Sequence, residues 1–528
     1  MVSSLPASAR TAAPAAGRGR LERLEPFALP ALAVAVALGV ALRLWSTGPL
    51  WLDEAQTVQF ARVPLADLHE ALKTDGAPPL YYALLHGWLD LLATFGVGDS
   101  AWAARSLSMV FSLATLPLAY LAGRRLGGSR RHGEIALLLF AVNPWSVRYA
   151  GEARMYSLVV LLVLCALLAM ERLRRNPGPW PAVALGAVTA ALLYTHYWAM
   201  FLLVTVGAVL LVRAVRSQED RRSSRLALTG MAAGGVAFLP WFPTVLYQSD
   251  RTGAPWASRP DLGSIAILPA EWWGGFGPVG STLALLVVPL SLLAVFARRR
   301  PGTSTITFVR PLGVTARLAV VAGGTLLVAL GICLATGGAV VGRYTAVVVP
   351  LVLLLLVFGV LTLPPVAGVS VLATFATLGL LGSLTMATTP HTQAGRIAAL
   401  LNENSKPGDL VVYCPDQLAP AVESELTATG LEKLTLPAQA NPAVVDWTDY
   451  EEQIAKLSPR VLADGIADYV QAGSNVTVWY VSGVGYRTHS RVCISLRDRL
   501  VAELGIPALV HDRTGRGYEK ASLERFRR

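Results

Sequence analysis

Two adjacent carboxylates, in Trp51-Leu52-Asp53-Glu54-Ala55, follow directly on a long apolar run. Carboxylates beside a bilayer are costly unless they bind or transfer something. Side by side they repel, so the pair either retains a proton or shares a cation. Either arrangement suits a general base that takes a proton from an attacking hydroxyl. The competing role is helix capping, because acids are favoured in a first turn starting near Ala55. Farther along, Gly151-Glu152-Ala153-Arg154 sits between Tyr149 and Tyr156. Glu152 and Arg154 either pair with each other or leave Arg154 to grip a phosphate through its planar fork. Arg343, in Gly342-Arg343-Tyr344, lies in a short loop between apolar runs with no acid nearby in sequence. It suits a phosphate at headgroup level, with snorkelling as the alternative. His196, in Thr195-His196-Tyr197, occupies a hairpin where a lone histidine reads first as a packing residue. Trp256, Trp272 and Trp273 read as an interface belt first and a sugar-stacking surface second. A hard divalent cation on Asp53 or Glu54 is compatible with the pair but not required by it. The chain has no closely spaced His/Cys set of the kind a structural zinc site uses.

These residues sit in an unusually apolar chain. Of 528 residues 54% are hydrophobic and only 15% charged, and the mean hydropathy is +0.51, which describes a polytopic membrane protein. The formal charge of +11 does not indicate nucleic-acid binding. From His391 onward the chain carries 15 Lys and Arg against 17 Asp and Glu, so of 45 basic and 34 acidic residues 30 and 17 fall before it. The excess is confined to the apolar part, where short Arg-rich loops set orientation.

Spans require about 20 apolar residues each. Eleven runs qualify: 27–46, 103–123, 133–147, 155–171, 180–196, 197–213, 226–246, 281–297, 317–336, 345–363 and 366–387. The first reads as a retained signal anchor behind an Ala/Pro/Gly/Arg-rich tail, residues 1–24, that is expected to be disordered and cytoplasmic. Arginines follow the first tail and spans two, four, six and eight, placing 21 of the 30 basic residues on one side. By the positive-inside rule that side is cytoplasmic. The acidic pair, the Glu152 and Arg154 hairpin, His196, the 247–280 loop and Arg343 then emerge together on the opposite face. An odd number of spans puts the C-terminal region outside as well.

The first outer loop shows helical periodicity over Ala55–Leu72 and Tyr81–Phe95, divided by Pro78-Pro79. Two amphipathic helices in the interface fit this pattern, as a rim through which a lipid enters or as a cap on the bundle. Residues 25–389 form the transmembrane domain and 390–528 a small α/β domain. Its expected elements are a helix at Ala394–Asn404, a strand at Asp409–Cys414, a helix at Leu418–Leu426, a strand at Val476–Val481, a helix at Arg491–Leu504 and a strand at Pro507–His511. Cys165 and Cys333 lie in apolar runs, whereas Cys414 and Cys493 are free to pair outside the cytoplasm.

Arg43, then Leu50-Trp51-Leu52-Asp53-Glu54-Ala55, then Asp75-Gly76-Ala77-Pro78-Pro79-Leu80-Tyr81-Tyr82, resembles the first outer loop of GT-C membrane glycosyltransferases. The nearest groups are the bacterial proteins resembling protein O-mannosyltransferases and the lipid A aminoarabinose transferases. Tyr149-Ala150-Gly151-Glu152-Ala153-Arg154-Met155-Tyr156 is similar to that family's second outer loop, and Thr195-His196-Tyr197 and Gly342-Arg343-Tyr344 match later positions. The resemblance spans roughly residues 27–387. It implies a polyprenyl-phosphate-linked sugar donor, an envelope glycan, lipid or protein acceptor, and inverting transfer at the outer face of the cell membrane. Carried onto this chain, Asp53 is the base and Glu54 helps hold the donor phosphate, with or without a cation. Arg154 and Arg343 stabilise the leaving phosphate, with His196 beside them, and Arg43, Asp75, Glu152, Tyr156 and Tyr344 support the site. Two rivals share this topology: a flippase for lipid-linked sugars, and a ligase taking diphosphate-linked oligosaccharide. The chain has no evident internal repeat, and its polar residues gather at span ends rather than mid-bilayer, unlike the usual transporter pattern.

Overall fold

The computed structural model describes residues 16–252, 259–300, 303, 305–311, 313–473, 475–483, 485–486, 490–514 and 517–527. Helices dominate. Among the described residues seven are long and apolar enough to cross a membrane: Ala101–Gly127, Tyr156–Arg175, Trp198–Arg216, Arg221–Arg251, Pro278–Phe296, Gly313–Thr336 and Pro365–Thr388. Shorter apolar helices occupy Ala28–Leu44, Pro179–Thr195, Leu262–Glu271 and Val349–Thr362. The chain is a multi-pass membrane protein; the seven long helices coincide with seven of the eleven expected runs, and three of the shorter ones coincide with the runs at 27–46, 180–196 and 345–363.

Local chemistry sets the helix ends. Ala101–Gly127 opens with Ser100 accepting the Ala103 N–H and closes on Gly128 at φ +72°. Tyr156–Arg175 ends on Arg172, Arg174 and Arg175, cations placed where the helix dipole favours them. The run expected to span as 133–147 is broken into two helices. Its helix, Arg130–Val142, stops at extended Asn143, and Pro144–Ala150 begins a new helix with the Asn143 side chain accepting the Ser146 N–H. Pro144 cannot donate to the preceding turn and disfavours a helical residue before it. The freed carbonyls need donors. Arg43 supplies them, bonding Phe140 and Ala141 O at 2.5 Å each, Gly39 O at 2.8 Å and Ser112 Oγ at 3.0 Å. Gly39 permits this close approach, since a Cβ there would lie 2.3 Å from the Ala141 oxygen.

The Asp53 loop forms three helices rather than two: Leu52–Arg62, Leu68–Leu72 and Leu80–Ala93. Extended Val63 precedes Pro64 and ends the first one early. That first helix also starts three residues sooner than the periodicity indicates, which places both carboxylates inside its first turn.

Two short strands, β1 (Ala297–Arg299) and β2 (Ile306–Phe308), pair as a hairpin between spans. The C-terminal region adds β3 (Leu410–Cys414), β4 (Glu432–Thr435), β5 (Val478–Ser482), β6 (Ala508–His511) and β7 (Ser522–Phe526). These form one mixed sheet ordered β4-β3-β5-β7-β6, parallel from β4 to β5 and antiparallel beyond it. β4, β7 and the helix Pro459–Ala472 are not marked in the sequence pattern. Cys414 and Cys493 form a disulfide with Cα atoms 5.5 Å apart, joining β3 to the helix Ser490–Leu504.

Candidate active site

Successive residues on a helix point about 100° apart, at 3.6 per turn. Asp53 and Glu54 therefore leave the Leu52–Arg62 helix in different directions. Asp53 shares a face with Gln56 and Thr57, three and four positions on. That face looks into a cavity of about 400 Å³ lined by Asp53, Gln56, Asp75, Arg154, His196, Gln248, Arg343 and Tyr344, with Trp447 added by the C-terminal region. Its other wall is apolar, with Phe201, Ile332, Cys333 and Ala339.

Glu54 does not line this cavity. It is wholly buried and accepts from Arg105 Nε at 2.8 Å, Arg105 Nη2 at 2.6 Å, the Ala153 N–H at 2.8 Å and the Trp51 N–H at 3.4 Å. Burial opposes its charge, but Arg105 outweighs it and holds the Glu54 carboxyl below the usual carboxylate range. The expected sharing of a phosphate or cation by Asp53 and Glu54 is thus replaced by a buried ion pair. Glu54 ties the Leu52–Arg62 helix to the Ala101–Gly127 helix and to the Ala153 turn. A divalent ion does not fit this pair, because the oxygens of one member already hold a guanidinium and an amide. Among the described residues no three His, Cys, Asp or Glu side chains converge as a ligand group. Arg105, an arginine near the start of an apolar run, was the available sequence signal for this pairing.

Arg343 reaches Asp53 Oδ2 with Nη1 at 3.4 Å, so the acid it lacks nearby in sequence is supplied by the fold. Its loop is held from below. Trp145 Nε1 donates to Gly342 O at 3.2 Å, Trp272 Nε1 to Thr345 Oγ1 at 2.8 Å, and Asn143 Nδ2 to Trp272 O at 2.7 Å. Trp272 and Trp273, expected at the membrane interface, are buried and brace this loop and the core beside it. Trp256 lies outside the described residues. Gly342 has no room for a side chain: a Cβ would sit 2.0 Å from Glu271 Oε2 and 3.1 Å from Glu271 Cβ.

The alternative for Arg154 is also decided. Glu152 pairs with Arg148, Nε to Oε1 at 2.9 Å, and not with Arg154. Arg154 instead donates from Nη1 to Thr57 Oγ1 at 2.9 Å and to the Asp53 carbonyl at 3.4 Å, while its buried Nε has no hydrogen-bond partner among the described residues. His196 accepts the Trp198 N–H on Nδ1 at 3.1 Å, leaving Nε2 to carry the proton. Burial, reinforced by Arg154 and Arg343, pushes its pKa down to about 3, so it is a neutral donor and not a cation. Tyr344 stacks against His196 at 5.3 Å between ring centroids, and fully buried Tyr156 backs the same ring at 5.9 Å. Asp75 accepts from Tyr82 and from Gln56 Nε2 at 2.8 Å, and burial raises its carboxyl. Arg43, expected to support the site, does not line this cavity and serves the helix break described above.

The C-terminal region completes the site. Val445 and Gln56 exchange two hydrogen bonds at 3.3 Å, and the Trp447 N–H reaches Thr74 O at 3.1 Å. Glu519 accepts the Leu52 N–H at 2.9 Å, at the very start of the Asp53 helix. Tyr518 lies under Arg148, whose Cζ is 3.9 Å from the ring centroid. Sequence reading assigned this region no chemistry, and no local pattern in it announces these contacts.

This arrangement, a helical bundle whose polar cavity is closed by short helices and a following α/β unit, is shared with solved structures. The crystal structure of ArnT from Cupriavidus metallidurans in the apo state superposes with a TM-score of 0.57 at 15% identity, covering 95% of this chain and 98% of ArnT. ArnT bound to undecaprenyl phosphate gives 0.56 at 14% identity over the same shares. At these identities the likeness is one of fold. No protein-family model and no curated protein matches the sequence.

Proposed function

We propose that this protein is a membrane glycosyltransferase that moves a sugar from a polyprenyl-phosphate donor to an acceptor hydroxyl of an envelope glycan, lipid or protein. The observation that carries the reading is Asp53 paired to Arg343 at 3.4 Å in a cavity where the buried Arg154 Nε has no hydrogen-bond partner among the described residues. ArnT, whose fold the chain shares, has been captured with undecaprenyl phosphate, a ligand of this chemistry. The apolar wall suits the first isoprene units and the arginines suit the phosphate.

In this mechanism the donor phosphate draws Arg343 away from Asp53 and bonds Arg154, with the neutral His196 donating from Nε2. Asp53, now free, takes the proton of the acceptor hydroxyl. The acceptor oxygen forms its bond to the anomeric carbon from the side opposite the leaving group, so configuration inverts. The bond from that carbon to the phosphate oxygen breaks, and polyprenyl phosphate departs with the electron pair. Its growing charge meets two preplaced guanidinium groups, an effect worth about 3–4 kcal/mol when one such donor is removed elsewhere. The interfacial helices form the lateral entrance. Residues 25–389 act as the transmembrane unit and 390–528 as an extracytoplasmic domain, in the cell membrane with the N-terminus cytoplasmic. The Cys414–Cys493 disulfide supports an oxidising compartment for that domain.

Purified protein in nanodiscs, given radiolabelled polyprenyl-phosphate sugars and an acceptor panel, tests the reading. Transfer that Asp53→Asn abolishes supports it. Movement of donor between leaflets without bond cleavage would make it a flippase, and use of diphosphate-linked oligosaccharide alone would make it a ligase.

A further inference from the structure

Two helices that wall the Asp53 cavity, Trp198–Arg216 and Gly313–Thr336, run together with Tyr156–Arg175 to a second cavity at their other ends. It holds about 120 Å³ and is apolar within, lined by Val163, Leu167, Leu202, Val206, Leu318 and Val321. Its mouth is charged. Glu171 bonds Arg174 at 2.9 Å and Arg175 at 2.6 Å, and Arg213 bonds Asp220 at 2.7 Å. These three cations are thus matched by Glu171 and Asp220, with Glu219 also acting on Arg174. Arg317, also at the mouth, is a fourth cation; it forms no hydrogen bond or salt bridge with a described residue, is repelled by Arg213 and Arg174, and is attracted by Glu171 and Asp220, which are already engaged by those other arginines. Ser224 lines the same cavity at 1% exposure, and its hydroxyl has no partner among the described residues. A guanidinium crowded by like charges and a buried unpaired hydroxyl are both costly arrangements that an anion relieves.

We propose that this cavity binds one anionic phospholipid from the leaflet on the arginine-rich side. The phosphate sits between Arg317 and Arg213 with the Ser224 hydroxyl donating to it, and an acyl chain fills the apolar slot. The slot selects a lipid over a soluble anion, and the uncompensated positive charge selects an anionic headgroup over a zwitterionic one. This site is separate from the Asp53 cavity and uses none of its residues.

Melting of the purified full-length protein in mixed micelles tests the proposal, with titrated dioleoylphosphatidylglycerol, dioleoylphosphatidylcholine or inorganic phosphate. Phosphatidylglycerol is expected to raise the melting temperature saturably, with the other two producing little change. Arg317→Gln should weaken the apparent phosphatidylglycerol affinity about tenfold, in line with the loss of one charge-assisted contact, and Arg317→Lys should retain most of it. Val206→Phe, which fills the slot and leaves every charge in place, should also lose the response, so the proposal stays testable if Arg317→Gln fails to fold. Equal stabilisation by phosphatidylcholine, a full response from inorganic phosphate alone, or an undiminished response in the variants would overturn it.

Discussion

Asp53 and Glu54 are neighbours with the same functional group, yet the structure requires opposite consequences from losing them. Glu54 is fully buried and Arg105 is 3% exposed, with two hydrogen bonds between them at 2.8 and 2.6 Å. Glu54→Gln removes the charge and leaves the Arg105 guanidinium buried without its counter-ion. Breaking one side of a buried pair costs about 3–5 kcal/mol, a large part of the roughly 5–15 kcal/mol that holds a domain folded. Asp53 touches Arg343 at 3.4 Å with its side chain 17% exposed, so Asp53→Asn should shift stability by no more than about 1 kcal/mol. Its loss should instead appear in turnover, at about 10²–10⁴-fold for a general base. Denaturant titration in mixed micelles gives the first quantity and initial transfer rates give the second. The double variant Glu54→Leu with Arg105→Met should recover only part of the stability, since it removes the unpaired charge but leaves the Ala153 N–H and the Gly48 and Pro49 carbonyls without their partners. Glu54→Gln within 1 kcal/mol of wild type, or Asp53→Asn as unstable as Glu54→Gln, would refute this division of roles.

Arg154→Met should fold normally, because Arg154 forms no salt bridge among the described residues, but should lower kcat/KM for a polyprenyl-phosphate sugar by about 10²-fold or more, measured under single-donor conditions. Gly342→Ala should displace the Arg343 loop against Glu271 and reduce turnover by about 10–100-fold, with partial recovery when Glu271→Ala makes space. Glu519 is pushed up to about 8 from 4.5 by burial, so the folded protein keeps a proton that the unfolded chain releases. Stability should therefore fall as pH rises from about 4.5 to about 8, and Glu519→Gln should flatten that slope in melting curves recorded across the window.

Membrane class, the gathering of candidate residues at span ends and most helices of the C-terminal region were readable, because they rest on local signals. Those signals are the length of an apolar run, arginines bunched at its end and turn residues that stop a helix. The break inside the run at 133–147 was not visible, because hydropathy is blind to backbone geometry and Asn143-Pro144 interrupts the helix without lowering the apolar content. β7 was missed because Ser522–Phe526 contains Glu524 and Arg525, and it is a strand only by pairing with β5 and β6 on either side. The tryptophans at 272 and 273 follow the same rule, their composition fitting an interface while the fold sets Trp272 against the Arg343 loop and Trp273 against Phe375 in the core.

Side-chain chemistry near the Asp53 cavity was written into the chain: a carboxylate pair, arginines without obvious local partners and a histidine at a hairpin. Which acid faces the cavity was not. It depends on where one helix starts, because a shift in the first residue rotates Asp53 and Glu54 together around the axis, and on an arginine 51 positions away that claims one of them. Partner choice among buried charges is long-range, since in a low-dielectric interior each ion must find a counter-ion whatever its distance along the chain. Only the folded bundle assigns Glu54 to Arg105, Glu152 to Arg148 and Asp53 to Arg343.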